Sequence, residues 1–191
     1  MHEDLFVPDT SLEAVDEAWD KLCTQNPESF DGDILHVLGV QRTGCGGATI
    51  QVAPTSYRFH AVGNLGITPL GVKGICMQDN RYLCGLRGTQ AGAYQDMWEF
   101  APSGMVEPKQ APEEVMQREL KEETGLHMAS PPIAIAIFFD ETARTWEIVY
   151  QLSVTGTPKV DGKEYQQLDW FDIKSMPSPM SPPANQMKSL L

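Results

Sequence analysis

Residues 104–126, GMVEPKQAPEEVMQRELKEETGL, are the stretch from which the rest of the chain can be interpreted. Within it, residues 112–124 predict a helix. Pro112 suits the first turn, where no backbone N–H is needed, and Glu113 follows at the positive end of the helix dipole. Gly125 is a typical stop, because glycine accepts the left-handed backbone that ends many helices. This segment is the best-defined helix in the sequence.

One face of this helix concentrates negative charge. Glu119, Glu122 and Glu123 are spaced so that a helix carries their carboxylates on one side. Met116 and Leu120 flank that side toward the core. Two like charges about 5 Å apart repel by roughly 3 kcal/mol at an effective dielectric constant near 20. Bound Mg2+ or Mn2+ relieves such repulsion, and so does solvation of a surface helix, so the spacing alone leaves both interpretations open.

The composition limits the classes of partner. The chain has 191 residues, of which 41% are hydrophobic, and this suits one domain with a small addition. Its formal net charge of -12 argues against a non-specific nucleic-acid binder or an anionic-membrane binder, because both need a basic surface. A small phosphate ligand remains compatible with this charge if metal ions stand between the two negative partners.

We expect a cytoplasmic protein with a small-molecule partner and without a nucleic-acid or membrane partner. No apolar run approaches the roughly 20 residues that cross a bilayer. The acidic start, MHEDLFVPD, lacks the basic beginning of a secretion signal. The four cysteines are far apart and form no C-x-x-C pair, which favours reduced thiols over a disulfide framework or a zinc site.

The N-terminal part predicts a helix followed by strands. Residues 10–25 have apolar side chains at helical spacing, and Thr10 with Glu13 forms a candidate capping box. The glycine-rich residues 44–47 lack a following Lys-Ser/Thr and a helix, so they are interpreted as a hairpin connection rather than a phosphate loop. Short strands are predicted at 34–40, 48–53 and 57–62.

The remainder of the chain predicts a mixed fold in which strands outnumber helices. The proline-rich tail allows at most a short helix from Asn185. We assign an α+β fold, with an N-terminal extension over residues 1–66 packed on a core domain over residues 67–191. Strands of the core are predicted at 72–77, 82–86, 98–100, 133–139, 146–154 and 168–173.

The pattern of residues 104–126 resembles the Nudix box, which reads Gly, five residues, Glu, seven residues, then Arg-Glu-apolar-x-Glu-Glu-x-Gly-apolar. Gly104 takes the first position, and residues 118–126, RELKEETGL, fit the last nine without a mismatch. The first Glu of the motif falls on Gln110, which keeps hydrogen bonding but not charge. In the family this position supports the loop and helix, so the departure bears on rigidity and efficiency more than on metal binding.

The resemblance covers residues 68–175 and implies an α/β/α sandwich around a mixed sheet. It also implies metal-dependent hydrolysis of a nucleoside diphosphate linked to another group, with Mg2+ or Mn2+ as cofactor. Arg118 would orient Glu122 or a neighbouring carboxylate, and the backbone carbonyl at Ser103 would add a metal ligand. The implied carboxylate ligands are Glu119, Glu122 and Glu123.

The resemblance leaves the catalytic base open. Glu164 is favoured, because it stands six residues before Trp170, as in some family members where a loop glutamate reaches the metal site. A surface acid explains Glu164 equally well, and a box glutamate, Glu122, can also activate water. Arg87 is expected to contact a phosphate or nucleotide. Glu147 and the pair Asp140-Glu141 are further candidates for the catalytic base. Asp140 and Glu141 stand at a strand end, so we interpret them as acids of a hairpin turn.

The substrate is expected to be a nucleoside-diphosphate sugar, cleaved to a nucleoside monophosphate and a sugar phosphate. The segment 19–35 faintly resembles the region ahead of the core in the UDP-sugar-hydrolysing branch of the family. Residues 141–143 carry neither the proline of many ADP-ribose hydrolases nor the tyrosine of many dinucleoside-polyphosphate hydrolases. ADP-ribose, a nucleoside triphosphate, and a non-catalytic nucleotide-binding module remain alternatives. The extension could serve packing, substrate enclosure or a homodimer.

Overall fold

The computed structural model describes residues 5–27, 29–44, 46–89, 91–160 and 162–191, in which short helices alternate with a larger number of strands. The helices are α1 (Leu12–Gln25), α2 (Arg58–Ala61), α3 (Pro112–Thr124) and α4 (Pro182–Lys188). The strands are β1 (Asp33–Arg42), β2 (Ala48–Ser56), β3 (Leu70–Gln78), β4 (Arg81–Arg87), β5 (Trp98–Phe100), β6 (Ser103–Met105), β7 (His127–Met128), β8 (Ile133–Asp140), β9 (Thr145–Thr155) and β10 (Tyr165–Phe171). The predicted α+β class is confirmed.

Strands β3 to β10 form one mixed sheet. Its order is β10-β4-β3-β9-β7, with β5 beside β4, β6 beside β3 and β8 beside β9. The central strands β3 and β9 run parallel, with Leu70 opposite Trp146, and the other pairs run antiparallel. Strands β1 and β2 form a separate antiparallel hairpin, as predicted, although Cys45 in its turn lies outside the described residues.

The sheet lies between helices. Successive side chains of a strand point to opposite faces. On β3, Val72 and Cys76 belong to the hydrophobic cluster that includes Met116 of α3, whereas Ile75 belongs to the cluster that includes Met187 of α4. The predicted α/β/α sandwich around a mixed sheet is therefore confirmed. No helix in the described part of the chain has both the length and the apolar character to cross a membrane.

Helix α3 packs tightly on β3 at Gly74. A Cβ atom at this position would lie 2.8 Å from Leu152 Cδ1, 2.8 Å from Pro102 Cδ and 2.9 Å from Met116 Sδ. Real Cβ contacts are longer, so any other residue here would push the helix or the neighbouring strand away. Gly74 thus sets the distance between the sheet and the helix that carries the clustered glutamates.

The N-terminal extension is joined to the core by backbone hydrogen bonds and by packing. The Val37 N–H donates to the Thr68 carbonyl at 2.9 Å, and the Leu35 N–H donates to the Val106 carbonyl at 3.3 Å. Val37 also belongs to the same hydrophobic cluster as α3. The assigned boundary after residue 66 stays a prediction.

The predicted cap of the first helix is wrong. Ser11, not Thr10, is the N-cap of α1, and its hydroxyl accepts the Ala14 N–H at 3.4 Å. Glu13 therefore lies inside the first turn and completes no capping box with Thr10. Thr10 and Ser11 are adjacent hydroxyl residues, and either could cap the helix. In the structure Ser11 makes the capping hydrogen bond.

The strand predicted at 57–62 is also wrong. Strand β2 extends to Ser56, and the chain then turns into the short helix α2 with Phe59 buried. The Asp31 carboxylate accepts the Arg58 N–H at 2.9 Å and the Ser56 hydroxyl at 2.6 Å. This acid comes from a loop 27 positions away in sequence, so the local pattern could not reveal that it would stabilise a helical turn.

Other differences are shifts of element boundaries. Strand β10 begins at Tyr165 rather than Leu168. Helix α4 begins at Pro182 rather than Asn185, because Ser181 caps it by accepting the Ala184 N–H at 3.3 Å. The short strands β6 and β7 were not predicted, since pairing with β3 and β9 rather than local sequence defines them.

Gly74→Ala is expected to lower the free energy of unfolding by about 1–3 kcal/mol, because the added methyl group overpacks the contact between α3 and the sheet. The matched control is Gly39→Ala on β1, where the nearest atom, Gln51 Oε1, lies 3.8 Å from the added carbon. We expect a change within about 0.5 kcal/mol there. Urea unfolding measures both, and equal effects would contradict the spacing role of Gly74.

Candidate active site

Helix α3 has the boundaries that the sequence predicted. The Ala111 N–H donates to the Glu114 carboxylate at 3.2 Å, which caps the first turn. Gly125 ends the helix with φ 69°, in the left-handed region. Val115 and Met116 are fully buried on the sheet side. These contacts fix the rotation of the helix and hence the direction of its acidic side chains.

Two of the predicted metal ligands lie where α3 meets β6. A Cβ at Gly104 would lie 2.6 Å from Glu119 Oε1, so the first glycine of the motif leaves room for this side chain. The Ser103 N–H donates to Glu123 Oε2 at 3.0 Å. Gly104, Ser103, Glu119 and Glu123 all line one cleft. The structure therefore brings together Ser103 and two of the three predicted carboxylates.

This cleft has a volume of about 700 Å³ and opens between the core and the N-terminal extension. Glu119, Glu123 and Glu164 line it from the core. The N-terminal extension forms another wall of the cleft, from the end of α1 and the segment around α2. Those residues are Leu22, Gln25, Asn26, Ser29, Tyr57, His60 and Ala61.

Two carboxyl groups of the cleft, those of Glu119 and Glu123, have raised pKa values. The pKa of Glu119 is raised to about 7, chiefly by burial; the charges of Glu122 and Glu164 contribute to this, and Arg118 opposes it. Burial also raises the pKa of Glu123 well above its usual range, with Glu119 and Glu164 adding to the effect. Both groups are therefore protonated more readily than an exposed glutamate.

Arg118 on the helix and Gln110 in the loop before it are linked through Glu107. Arg118 Nη1 is 2.9 Å from Glu119 Oε1 and 3.4 Å from Glu122 Oε2. Gln110 donates to Glu107 Oε2 at 3.0 Å, and Glu107 Oε1 is 3.7 Å from Arg118 Nη2. Gln110 thus holds an acid that contacts the motif arginine, which agrees with the supporting role expected of this position.

Glu122 differs from its two neighbours. Its side chain is 60% exposed, and Glu122 is not among the residues that line the cleft. A rotation of its side chain is needed before it can share an ion with Glu119 and Glu123. Its predicted metal and catalytic roles stay predictions.

Arg87 and Glu164, the predicted phosphate contact and base, are neighbours in the cleft. Arg87 Nη2 lies 3.3 Å from Glu164 Oε2, and Arg87 Nη1 is hydrogen-bonded to Glu99 Oε1. The charge of Glu164 contributes to the raised pKa of both Glu119 and Glu123, so the loop before β10 has brought it near the motif carboxylates. Their roles toward substrate stay predictions.

A buried network of charged side chains at the floor of the cleft was not predicted from the sequence. Lys73 Nζ lies 3.5 Å from Glu99 Oε2, and the Tyr165 hydroxyl donates to Glu99 Oε1 at 3.2 Å. Burial would raise the pKa of Glu99, but Lys73 and Arg87 outweigh it and lower the pKa. Burial opposes the charge of Lys73, yet nearby carboxylates, chiefly Glu99 and Glu147, raise its pKa overall. Both groups are therefore charged.

The signal for this network was a single charged residue inside each of two apolar strands, Lys73 in β3 and Glu99 in β5. Such residues are seldom buried without a partner. The contributions of Tyr57, His60 and Asp140 to the cleft had no comparable signal, because isolated aromatic and turn residues occur throughout the sequence. Asp140 does bind its own turn, as predicted, by accepting the Thr142 N–H at 3.0 Å.

The donor set fits a hard divalent cation. Within the described part of the chain, no three carboxylate, histidine or cysteine side chains are already arranged around one point as a metal site. Glu119 and Glu123 nevertheless line the same cleft, and burial raises the pKa of both carboxyl groups, with the charge of Glu119 adding to the effect on Glu123. Oxygen ligands and incomplete protein coordination are typical of Mg2+ sites, which keep waters and bind substrate phosphates.

A family model described as the NUDIX domain matches residues 69–191. The match spans well over half of the chain, which therefore belongs to the Nudix hydrolase family. No curated protein matches the chain in sequence.

Solved structures agree with this fold. A MutT NUDIX hydrolase from Burkholderia pseudomallei is 20% identical, with 64% of this chain and 96% of that chain covered and a TM-score of 0.58. A NUDIX-family hydrolase from Clostridium perfringens is 17% identical, covering 63% and 93%, with a TM-score of 0.53. A bifunctional NMN adenylyltransferase/ADP ribose pyrophosphatase from Francisella tularensis is 20% identical, covering 63% and 40%, with a TM-score of 0.53.

Without metal, the free energy of unfolding contributed by Glu119 and Glu123 is expected to fall as pH rises. Both folded pKa values exceed the unfolded value near 4.5, so the folded state binds more protons at mildly acidic pH, and the part contributed by Glu119 is lost as pH rises through about 7. Mg2+ binds the deprotonated carboxylates, so it should raise Tm more at about pH 8 than at about pH 5.5. Thermal unfolding with and without Mg2+ measures the difference.

The control for this experiment is the double variant Glu119→Gln/Glu123→Gln, which removes both titrating groups. It should lose the pH dependence of the Mg2+ effect while keeping that of the other titratable groups. A Tm shift by Mg2+ that is the same at both pH values in the wild type would contradict a cation site at these carboxylates.

Proposed function

We propose that the chain hydrolyses a nucleoside diphosphate linked to a sugar, using Mg2+ or Mn2+, and releases a nucleoside monophosphate and a sugar phosphate. The observation that carries this proposal is the shared cleft: motif carboxylates lie on one wall, and the N-terminal extension forms another. A volume of about 700 Å³ is within the usual range of small-molecule sites. The acidic wall suits the metal-bound diphosphate, and the extension suits the attached group.

Glu119 and Glu123 are the protein groups that would hold the ion, and Glu122, after a side-chain rotation, and the backbone at Ser103 would complete the set. When bound, a divalent ion neutralises the diphosphate, lowers the pKa of a bound water and stabilises charge on the leaving phosphate. The Francisella tularensis neighbour, of which the match covers 40%, was solved in complex with AMP and a Mn ion.

Glu164 is the group proposed to accept the proton of the attacking water. The water oxygen bonds to one phosphorus of the bridge, the P–O bond of the bridging oxygen breaks, and the proton moves to the Glu164 carboxylate. Arg87, which contacts Glu164 at 3.3 Å, keeps that carboxylate oriented and places a positive charge beside the phosphates. Lys73 adds a second cation on the floor of the cleft.

The extension supplies the polar and aromatic surface proposed for the sugar. Tyr57 and His60 have ring centroids 6.0 Å apart and both line the cleft. Gln25 and Asn26 at the end of α1 add amide groups. Flat rings beside hydrogen-bonding groups suit a hydroxylated ring, which has both apolar faces and polar edges.

Glu123→Gln is expected to lower kcat by on the order of a hundredfold, because it removes one charge that holds the ion. Glu122→Gln should do the same if its side chain turns to the ion. Glu17→Gln, an exposed change on α1, is the control and should leave kcat unchanged. Initial rates at several Mg2+ concentrations measure these effects, and turnover that survives EDTA and both substitutions would refute metal-held carboxylate catalysis.

Hydrolysis in 18O-labelled water tests the substrate. With a panel of UDP- and ADP-linked sugars, ADP-ribose, dinucleotides and nucleoside triphosphates, mass spectrometry should find one labelled phosphate product from a sugar nucleotide. Fast turnover of triphosphates or ADP-ribose without turnover of other sugar nucleotides would replace the proposed substrate. Tight nucleotide binding with no labelled product from any member of the panel would instead indicate a binding module.

A further inference from the structure

The turn between β8 and β9 forms part of the cleft wall, and its polar atoms are not fully used by the protein. Asp140, Thr142, Ala143 and Arg144 line the cleft together with His60 of the extension. Two side-chain atoms of this turn, Asp140 Oδ2 and Arg144 Nη1, are buried and have no hydrogen-bond partner among the described residues. One is an acceptor and the other is a donor.

The two carboxylate oxygens of Asp140 differ in their hydrogen bonding. Oδ1 accepts three hydrogen bonds, from the Tyr94 hydroxyl at 2.5 Å, the Thr142 N–H at 3.0 Å and the Ala143 N–H at 3.2 Å. Oδ2 accepts none from the described residues, although Asp140 is only 5% exposed. A buried carboxylate oxygen without a donor is unfavourable and uncommon. Three donors fix the orientation of the group and leave Oδ2 without a donor among the described residues, in a residue that lines the cleft.

The two terminal nitrogens of the Arg144 guanidinium also differ in their hydrogen bonding. Nη2 donates to the His60 carbonyl at 2.9 Å, whereas Nη1 is buried without an acceptor among the described residues. The backbone of Arg144 has φ 56°, in the left-handed region that residues other than glycine adopt at a cost. The bond to His60 ties this turn to the extension, and the other end of the guanidinium lacks an acceptor among the described residues.

We propose that Asp140 Oδ2 and Arg144 Nη1 recognise hydroxyl groups of the sugar attached to the diphosphate. A hydroxyl both donates and accepts, so neighbouring hydroxyls of a ring match one acceptor and one donor. A phosphate offers acceptors only, and its charge is repelled by Asp140. A nucleobase edge with adjacent donor and acceptor groups shows the same chemistry, so the experiment must separate the two sources. This inference rests on the proposed function and names the residues that select its sugar.

Asp140→Asn isolates the free oxygen. The amide keeps one carbonyl oxygen, which the three donors around Oδ1 hold in its present place, and puts an NH2 group where Oδ2 was. An acceptor facing the ligand therefore becomes a donor while the bonds of the turn remain. Asp79→Asn is the matched control, because Asp79 is an exposed turn residue between β3 and β4, outside the cleft. Urea unfolding should show equal stability for both variants.

For the sugar nucleotide turned over best, Asp140→Asn should lower kcat/KM by about 10- to 100-fold, mainly by raising KM, whereas Asp79→Asn should have no effect. The inhibition constant of the matching nucleoside diphosphate, which has the same base but no sugar, should change less than about twofold. An equal loss for the sugar nucleotide and the nucleoside diphosphate would place Asp140 at the base and overturn the inference.

Binding of a panel of hexose and pentose 1-phosphates, measured by calorimetry with Mg2+, separates this inference from the proposed function. Weakened binding by Asp140→Asn supports it even if the wild type hydrolyses no sugar nucleotide, in which case only the proposed function fails. Turnover of sugar nucleotides with unchanged kcat/KM in the variant overturns the inference and leaves the function standing. A wild type that neither binds these sugar phosphates nor cleaves sugar nucleotides overturns both.

Discussion

Gly74 and Gly104 leave no space for a side chain between helix α3 and the strands beside it, so the helix approaches the sheet closely. This approach places Glu119 against Gly104 and lets Glu123 accept the backbone N–H of Ser103. Carboxylates on an exposed helix would be solvated, but here burial raises the pKa values of both. The packing of one helix therefore decides that these two carboxyl groups are protonated more readily than exposed glutamates.

The cleft next to these acids has charges of both signs, although the chain as a whole is strongly acidic. Lys73 and Arg87 lie at the floor of the cleft. The carboxylate of Glu99 contacts both and offsets part of their positive charge. Removing one member of such a network leaves an unpaired buried charge, which is far more costly than an exposed one. The network keeps two cations in place beside the acidic wall of the cleft.

Several features could be predicted from the sequence because they depend on residues close together in the chain. Helix α3 has its predicted limits, since Pro112 and Gly125 mark its ends and the apolar spacing between them is regular. The hairpin of β3 and β4 and the family were also predicted from local patterns. The cap of α1 was wrong even at this level, because Ser11 and Thr10 are neighbours that offer nearly equivalent hydroxyls.

The sequence by itself thus determined the fold class, the family pattern and the helix on which the acidic side chains stand, since caps and periodicity act over a few residues. Only the tertiary structure decided that Asp31 stabilises the turn at α2, that Lys73 pairs with Glu99, and that Glu164 lies beside the motif carboxylates. It also decided that Asp140 keeps one oxygen without a donor. These contacts join residues from separate elements, and their energies depend on burial, which a linear pattern does not specify.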